Sequence, residues 1–200
     1  MNLGSRSKAK HNPSENFNLS NFNRTMADCI KVLKQWTGKA TATVIYDNIV
    51  DEFTHDGLFN KAKGKPNVAV VGFTTDGDVF GGFYSVAVTK QDEDFKDPII
   101  FAFSFESHGR CETPQRFVLK KWQMGWASVF FWKNNKYGFV WFGATGGGDF
   151  CLGNESSNSF CCAVSRAFKG LKNTTLTGKN GTWYEGPFHH CIRLVVVRLE

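Results

Sequence analysis

The run from Val79 to Val88 constrains this chain more than any other segment. Extended, it places Phe80, Gly82, Tyr84, Val86 and Val88 on one face. Val79, Gly81, Phe83, Ser85 and Ala87 take the other. Neither face carries a charge, which predicts an internal strand covered on both sides. Gly81 and Gly82 weaken a strand intrinsically, so their expected use is close approach of another backbone or of a bulky ring. Asp76-Gly77, just upstream, is a hairpin turn signal that joins this strand to the β-branched run Val68 to Phe73.

More strands follow. From Ile99 to Phe105, large residues (Ile99, Phe101, Phe103, Phe105) alternate with smaller ones (Ile100, Ala102, Ser104), which predicts a core strand with its large side inward. Trp126 to Trp132 and Tyr137 to Phe142 flank the turn Lys133-Asn134-Asn135-Lys136 as a second hairpin. A glycine-rich turn, Gly143 to Gly148, leads to Phe150-Cys151-Leu152, and Cys191 to Leu199 closes the chain as an aliphatic strand. Phe160 to Phe168 is ambiguous, and Lys169 to Gly186 reads as a long surface loop.

Two helices precede the strands. Met26, Ile30, Leu33 and Trp36 recur at helical spacing and stop at Gly38. A shorter helix spans Thr54 to Lys63, before Gly64 and Pro66, with the extended stretch Thr43 to Tyr46 between the two. The expected fold is α+β, mostly β: a two-sheet antiparallel β-sandwich flanked by a few short helices. Residues 1–23 are polar and Asn-rich and read as a disordered arm, leaving 24–200 as a single domain.

Twenty Phe and six Trp suit a large β core. No apolar run is long enough for a transmembrane helix or a signal peptide, so a cytoplasmic location is expected, with the nucleus as the other intracellular option. Six irregularly spaced cysteines agree with a reducing compartment. Half of the net charge of +6 sits at the N-terminus, where Arg6, Lys8, Lys10 and Arg24 face only Glu15. These four are the candidate contacts to an anionic partner.

Motifs for chemistry are sparse. Gly143 to Gly148 lacks the Lys-Ser/Thr end of a phosphate loop. His189 and Cys191 share a strand face, but no second pair stands at a metal-ligand spacing. Asp92, Glu93, Asp94 and Asp97 lack cation-loop spacing. There is no nucleophile elbow. Neither a catalytic residue, nor a metal, nor a cofactor is therefore assigned. Cys111 in the polar loop is the candidate redox thiol, with His108 read as an exposed bystander, and the remaining cysteines read mainly as small core residues.

The order of the pieces resembles the TLDc domain of oxidation-resistance proteins and some Rab-GAP-like proteins. The matching residues are Ile45-Tyr46-Asp47, Gly64-Lys65-Pro66-Asn67, Val79-Phe80-Gly81-Gly82-Phe83, Asp97-Pro98 before Phe101-Ala102-Phe103-Ser104, and Phe142-Gly143 with Gly147-Gly148-Asp149-Phe150. They span about three quarters of the chain, and it looks most like the short, divergent TLDc proteins of protists. The resemblance implies a β-sandwich flanked by helices. It also implies a non-enzymatic interaction module in oxidative-stress protection that binds the vacuolar proton ATPase. It marks Tyr46, Asp47, Phe80, Gly81, Gly82, Asp97, Gly143, Gly147 and Asp149 as family-motif positions, structural or partner-binding. The sequence departs from the pattern in two places: the usual Asp-Gly after the first motif appears as Asp51-Glu52 or Asp56-Gly57, and His190 to Leu199 contains no acid.

Two other functional classes stand beside this one. The pI near 9.0, the basic arm and the aromatic content suit a stress-responsive nucleic-acid-binding regulator. An exposed, low-pKa thiol would suit a thiol-based redox protein.

Overall fold

The computed structural model describes residues 19–134, 136, 138–143, 149–154, 156, 157, 159, 161–181 and 185–200, with side chains from Thr25 onward. Among the described residues ten strands form two antiparallel sheets. The first holds β1 (Ala42–Asp47), β2 (Val68–Thr74), β3 (Val79–Tyr84), β5 (Phe101–Glu106), β6 (Gln115–Val118) and β10 (Cys191–Leu199), in the order β1-β10-β2-β3-β5-β6. The second holds β4 (Asp94–Lys96), β7 (Ser128–Phe131), β8 (Val140–Gly143) and β9 (Phe150–Leu152), in the order β4-β7-β8-β9. Among the described residues the helices are α1 (Leu19–Thr37), α2 (His55–Ala62), the single turn α3 (Val164–Ala167) and a 3-10 turn, Lys121–Gln123.

Two apolar layers result. Between the sheets lie Val70, Phe80 and Tyr84 from the first, with Val129, Phe142 and Phe150 from the second, all fully buried. On the outer face of the larger sheet, Met26, Cys29 and Leu33 of α1 cover Val71, Phe83, Phe103 and Val195. β3 sits at the centre of this arrangement, between β2 and β5, and all six of its residues are buried. An uncharged strand between two apolar layers is what its sequence demanded.

The glycine expectation is met on both faces. A Cβ on Gly81 would collide with the Val70 carbonyl oxygen, and the Phe103 ring lies beside it. A Cβ on Gly82 would enter the Phe142 ring. The helix ends follow their sequence signals. Thr54 caps α2 by accepting from the Gly57 N–H at 3.0 Å. Gly38, at φ +69°, ends α1 and donates its N–H to the Lys34 carbonyl at 2.9 Å.

Several boundaries and faces differ from expectation. Helix α1 begins at Leu19, inside the stretch read as an arm. Strand β3 stops at Tyr84 rather than Val88, because the carboxylate of Asp97 takes the Ser85 N–H that a longer ladder would need. In β5 the large side, Phe101 and Phe103, turns outward to α1, while Ile100 and Ala102 face the other sheet. Trp36 explains the reversal: it stacks on Phe105 at 5.5 Å between ring centres and meets Phe101 edge-on at 6.3 Å. The segment 169–186 is not simply surface, since Leu171, Thr175, Leu176 and Thr177 are buried and Leu176 reaches the inter-sheet core. Val164 to Ala167, within the ambiguous segment, forms one helical turn.

Candidate functional site

The family-motif residues that the structure describes do not converge on one cleft. Tyr46 is buried at the end of β1 and donates its hydroxyl proton to the Glu52 carbonyl at 3.0 Å, and burial raises its pKa. Asp47 accepts from Arg193 Nε at 3.1 Å and from Nη2 at 2.5 Å, a two-pronged pair between β1 and β10. Asp97 is fully buried and accepts from the Ser85 N–H, from Ser85 Oγ at 2.9 Å and from the Ile99 N–H at 3.0 Å. Those bonds occupy a carboxylate that could otherwise serve chemistry. Phe80, Gly81 and Gly82 are packing positions in β3. Gly143 ends β8 opposite Ser128, and Asp149 is buried where the chain enters β9, its N–H on the Phe142 carbonyl. Gly147, Arg6, Lys8 and Lys10 lie outside the described residues, and Arg24 falls in the first half of α1.

Several titratable groups near the β2–β3 hairpin and in the 92–97 segment are likewise held in structural bonds. Asp78, buried at the start of the β2–β3 connection's return, pairs with Arg110 and with His108 Nδ1 at 3.0 Å. Arg110 also donates to the Thr175 carbonyl at 3.0 Å. His108 is thus not a bystander, for it helps pin the 107–111 loop to the hairpin. The acidic group 92–97 is spent locally: Asp92 accepts from the Lys133 N–H, Glu93 pairs with Lys90, and Asp94 accepts from Ser128 Oγ. Among the described residues no three His, Cys, Asp or Glu side chains gather as metal ligands.

The thiols divide by burial. Cys29, Cys151, Cys161 and Cys191 are buried, while Cys111 and Cys162 are half-buried. Desolvation pushes Cys29 and Cys191 up to about 12 and Cys162 to about 11, and raises Cys161 as well. Thiols held in the neutral form are poor nucleophiles. Cys111 keeps partial access to solvent, with its N–H on Ser107 Oγ at 2.7 Å.

Among the described residues, one surface open to a partner lies where the sequence marked no site. A groove of about 430 Å³ runs beside β6, between the end of α1 and the start of β5. Trp36, Ile99, Phe101, Val118 and Met124 line it, and Lys39 and Arg116 supply its charge; no acidic side chain lines it. Arg116 is fixed there, with Nη1 on the Trp36 carbonyl at 2.5 Å and its guanidinium 5.4 Å from the Phe101 ring centre. Past β6, residues 120–127 form a tight turn that exposes Trp122 and Trp126 at 62% and 66%. The available signal was Lys120-Lys121-Trp122-Gln123-Met124-Gly125-Trp126, a stretch with two tryptophans and no strand alternation. No protein-family model matches the chain, and no curated protein matches it. Within the described residues no helix is long and apolar enough to cross a membrane.

Proposed function

We propose that this chain is a non-enzymatic interaction module of the TLDc type. It acts in the cytoplasm in oxidative-stress protection and engages a protein assembly through the groove beside β6. The observation that carries the reading is the groove itself: apolar walls, a cationic rim of Lys39 and Arg116, and no acid in its lining. Exposed apolar surface rimmed by polar groups marks interaction sites. The charge favours a partner segment that is apolar and acidic. The resemblance of Tyr46-Asp47, Phe80-Gly81-Gly82-Phe83 and Asp97-Pro98 to TLDc motifs supplies the candidate assembly, the vacuolar proton ATPase. The burial of the motif carboxylate Asp97 and of four thiols supports binding over catalysis.

The test is affinity capture from native cells, with and without peroxide, using the wild-type chain and an Ile99→Asp, Val118→Asp double variant. Both positions are exposed, so the variant should fold normally. The expected result is recovery of proton-ATPase subunits by the wild type and their loss with the variant. Recovery of no ATPase subunit under either condition removes the pump from the proposal. Equal recovery by both proteins removes the groove.

A further inference from the structure

The turn beyond β6 borders the groove through Met124, but Trp122 and Trp126 do not line it. Its backbone is locked by three bonds: Gln123 N–H to the Lys120 carbonyl at 2.9 Å, Trp126 N–H to Gln123 at 2.9 Å, and Ala127 N–H to Gln123 at 3.0 Å. Gln123 and Ala127 are buried and anchor the turn from inside. Trp122, Met124 and Trp126 are pushed outward as a consequence. Nothing lies within 4 Å of where a Cβ on Gly125 would stand, which places the turn at an open tip.

The side chains flanking this tip are mainly basic; the acids nearby are Asp94 of β4 and the buried Asp97, whose N–H donates to the Ala127 carbonyl at 3.0 Å. From 113 to 127 the chain contains Arg116, Lys120 and Lys121 and no acidic residue. From outside that stretch, Lys96 donates to the Trp126 carbonyl at 3.2 Å, which ties another ammonium to the base of the tip. Asp94, two residues from Lys96 on β4, is engaged by the Ser128 hydroxyl at 2.7 Å. Lys120 is held by the Ser165 carbonyl at 2.6 Å, while Lys121 is exposed beside Trp122.

We infer that this turn is a docking tip for the surface of an anionic lipid bilayer. Trp122, Met124 and Trp126 enter the headgroup–acyl boundary, and the surrounding lysines contact the anionic headgroups. Each part has a physical basis. Indole rings concentrate at the membrane–water boundary, where their apolar body and N–H are both satisfied. Clustered exposed apolar side chains mark an interaction site, and a tip fixed by backbone hydrogen bonds loses little entropy on insertion. Lysines within a Debye length of an anionic leaflet add attraction that salt removes. No protein partner is required, so the inference stands or falls apart from the groove reading.

The experiment is co-sedimentation of the full chain with vesicles of phosphatidylcholine containing phosphatidylserine, with pure phosphatidylcholine vesicles and a single-stranded oligonucleotide in parallel. The expected result is binding to the anionic vesicles with a blue shift in tryptophan emission, loss of binding in high salt, and little binding to neutral vesicles. Lys121→Glu should weaken the partition by roughly tenfold or more, since each basic residue near the surface contributes about fivefold and reversal adds repulsion. Trp122→Ser with Trp126→Ser should weaken it by a similar or greater factor. Lys121→Glu alters an exposed side chain and keeps the test valid if the double variant folds poorly. Absence of binding to anionic vesicles overturns the inference, and oligonucleotide binding in that case assigns the tip to base stacking instead. Wild-type partition that is unchanged by either variant also overturns it.

Discussion

Gly82 of β3 lies flat against Phe142 of β8, so that a methyl group on Gly82 would stand 2.5 Å from a carbon of that ring. The two residues belong to different sheets, and the missing side chain of one is the space taken by the other. Phe142 in turn stacks on Phe150 at 5.2 Å, so it has little freedom to move aside. Gly82→Val should destabilise the fold by roughly 1–3 kcal/mol through overpacking. The effect should fall when Phe142→Leu is added, because the two substitutions share one volume. Urea unfolding of the four proteins measures this. A fully stable Gly82→Val protein, or simple additivity of the two changes, would show that the sheets do not meet there.

Arg193, the third residue of β10, is only 5% exposed ahead of the aliphatic run Leu194 to Val197, and Asp47 supplies its carboxylate partner. Its guanidinium also sits 5.6 Å from the centre of the Phe73 ring. Removing one member of a buried pair leaves an uncompensated charge. Asp47→Ala should therefore cost about 3 kcal/mol or more. Arg193→Lys should not preserve stability, since an ammonium cannot reproduce the two-pronged geometry. Chemical denaturation of each variant tests the pair, and a loss near zero for Asp47→Ala would contradict it.

What the sequence made legible followed from periodicity and local signals. The uncharged faces of Val79 to Tyr84 placed β3 inside, Asp76-Gly77 placed its hairpin, and Thr54 placed the start of α2. Less legible was anything settled by distant contacts. Alternation in β5 separated its two sides correctly but could not say which side faced which layer, because Trp36 of α1 lies 65 residues upstream of Phe101 and decided the matter. The end of β3 depended on Asp97, twelve residues beyond Ser85. The groove and the Trp122–Trp126 turn were hidden for a related reason. Tryptophan in a β-rich chain is read as core, and its exposure depends on the burial of Gln123 and Ala127 beneath it.

Cysteine access gives a direct check on the redox alternative. Brief treatment of the folded protein with iodoacetamide or mild peroxide should modify Cys111 first. Cys162 should follow slowly, since desolvation and the nearby Asp149 charge raise it to about 11. Cys29, Cys151, Cys161 and Cys191 should react only after unfolding. Mass spectrometry of peptides separates these outcomes. Rapid modification of Cys161 or Cys191 in the native state would mean that the inter-sheet core opens far more readily than its packing implies.

Stability should fall on mild acidification because of His189. Its ring is fully buried against Phe80, at 5.2 Å between ring centres, and burial lowers its pKa from 6.5 to about 3. The Cys151 carbonyl is 3.0 Å from Nε2 and can only accept, so Nε2 carries the proton and Nδ1 is bare. Between about pH 6.5 and 3 the unfolded chain binds a proton at this position that the folded chain does not. Stability therefore increases with pH across that window and is complete above it. The slope from this group approaches about 1.4 kcal/mol per pH unit well inside the window. Asp51, whose pKa is held low by its hydrogen bond to Lys61, loses its own contribution only as the pH falls through its ordinary value of 3.8 and below. The two effects are thus separable between pH 6 and 4.5. Unfolding free energies measured there should decline for the wild type and decline less for His189→Gln, which has no ring to protonate. A wild-type stability that is flat from pH 7 to 4.5 would show that His189 is hydrated or takes up its proton in the folded state.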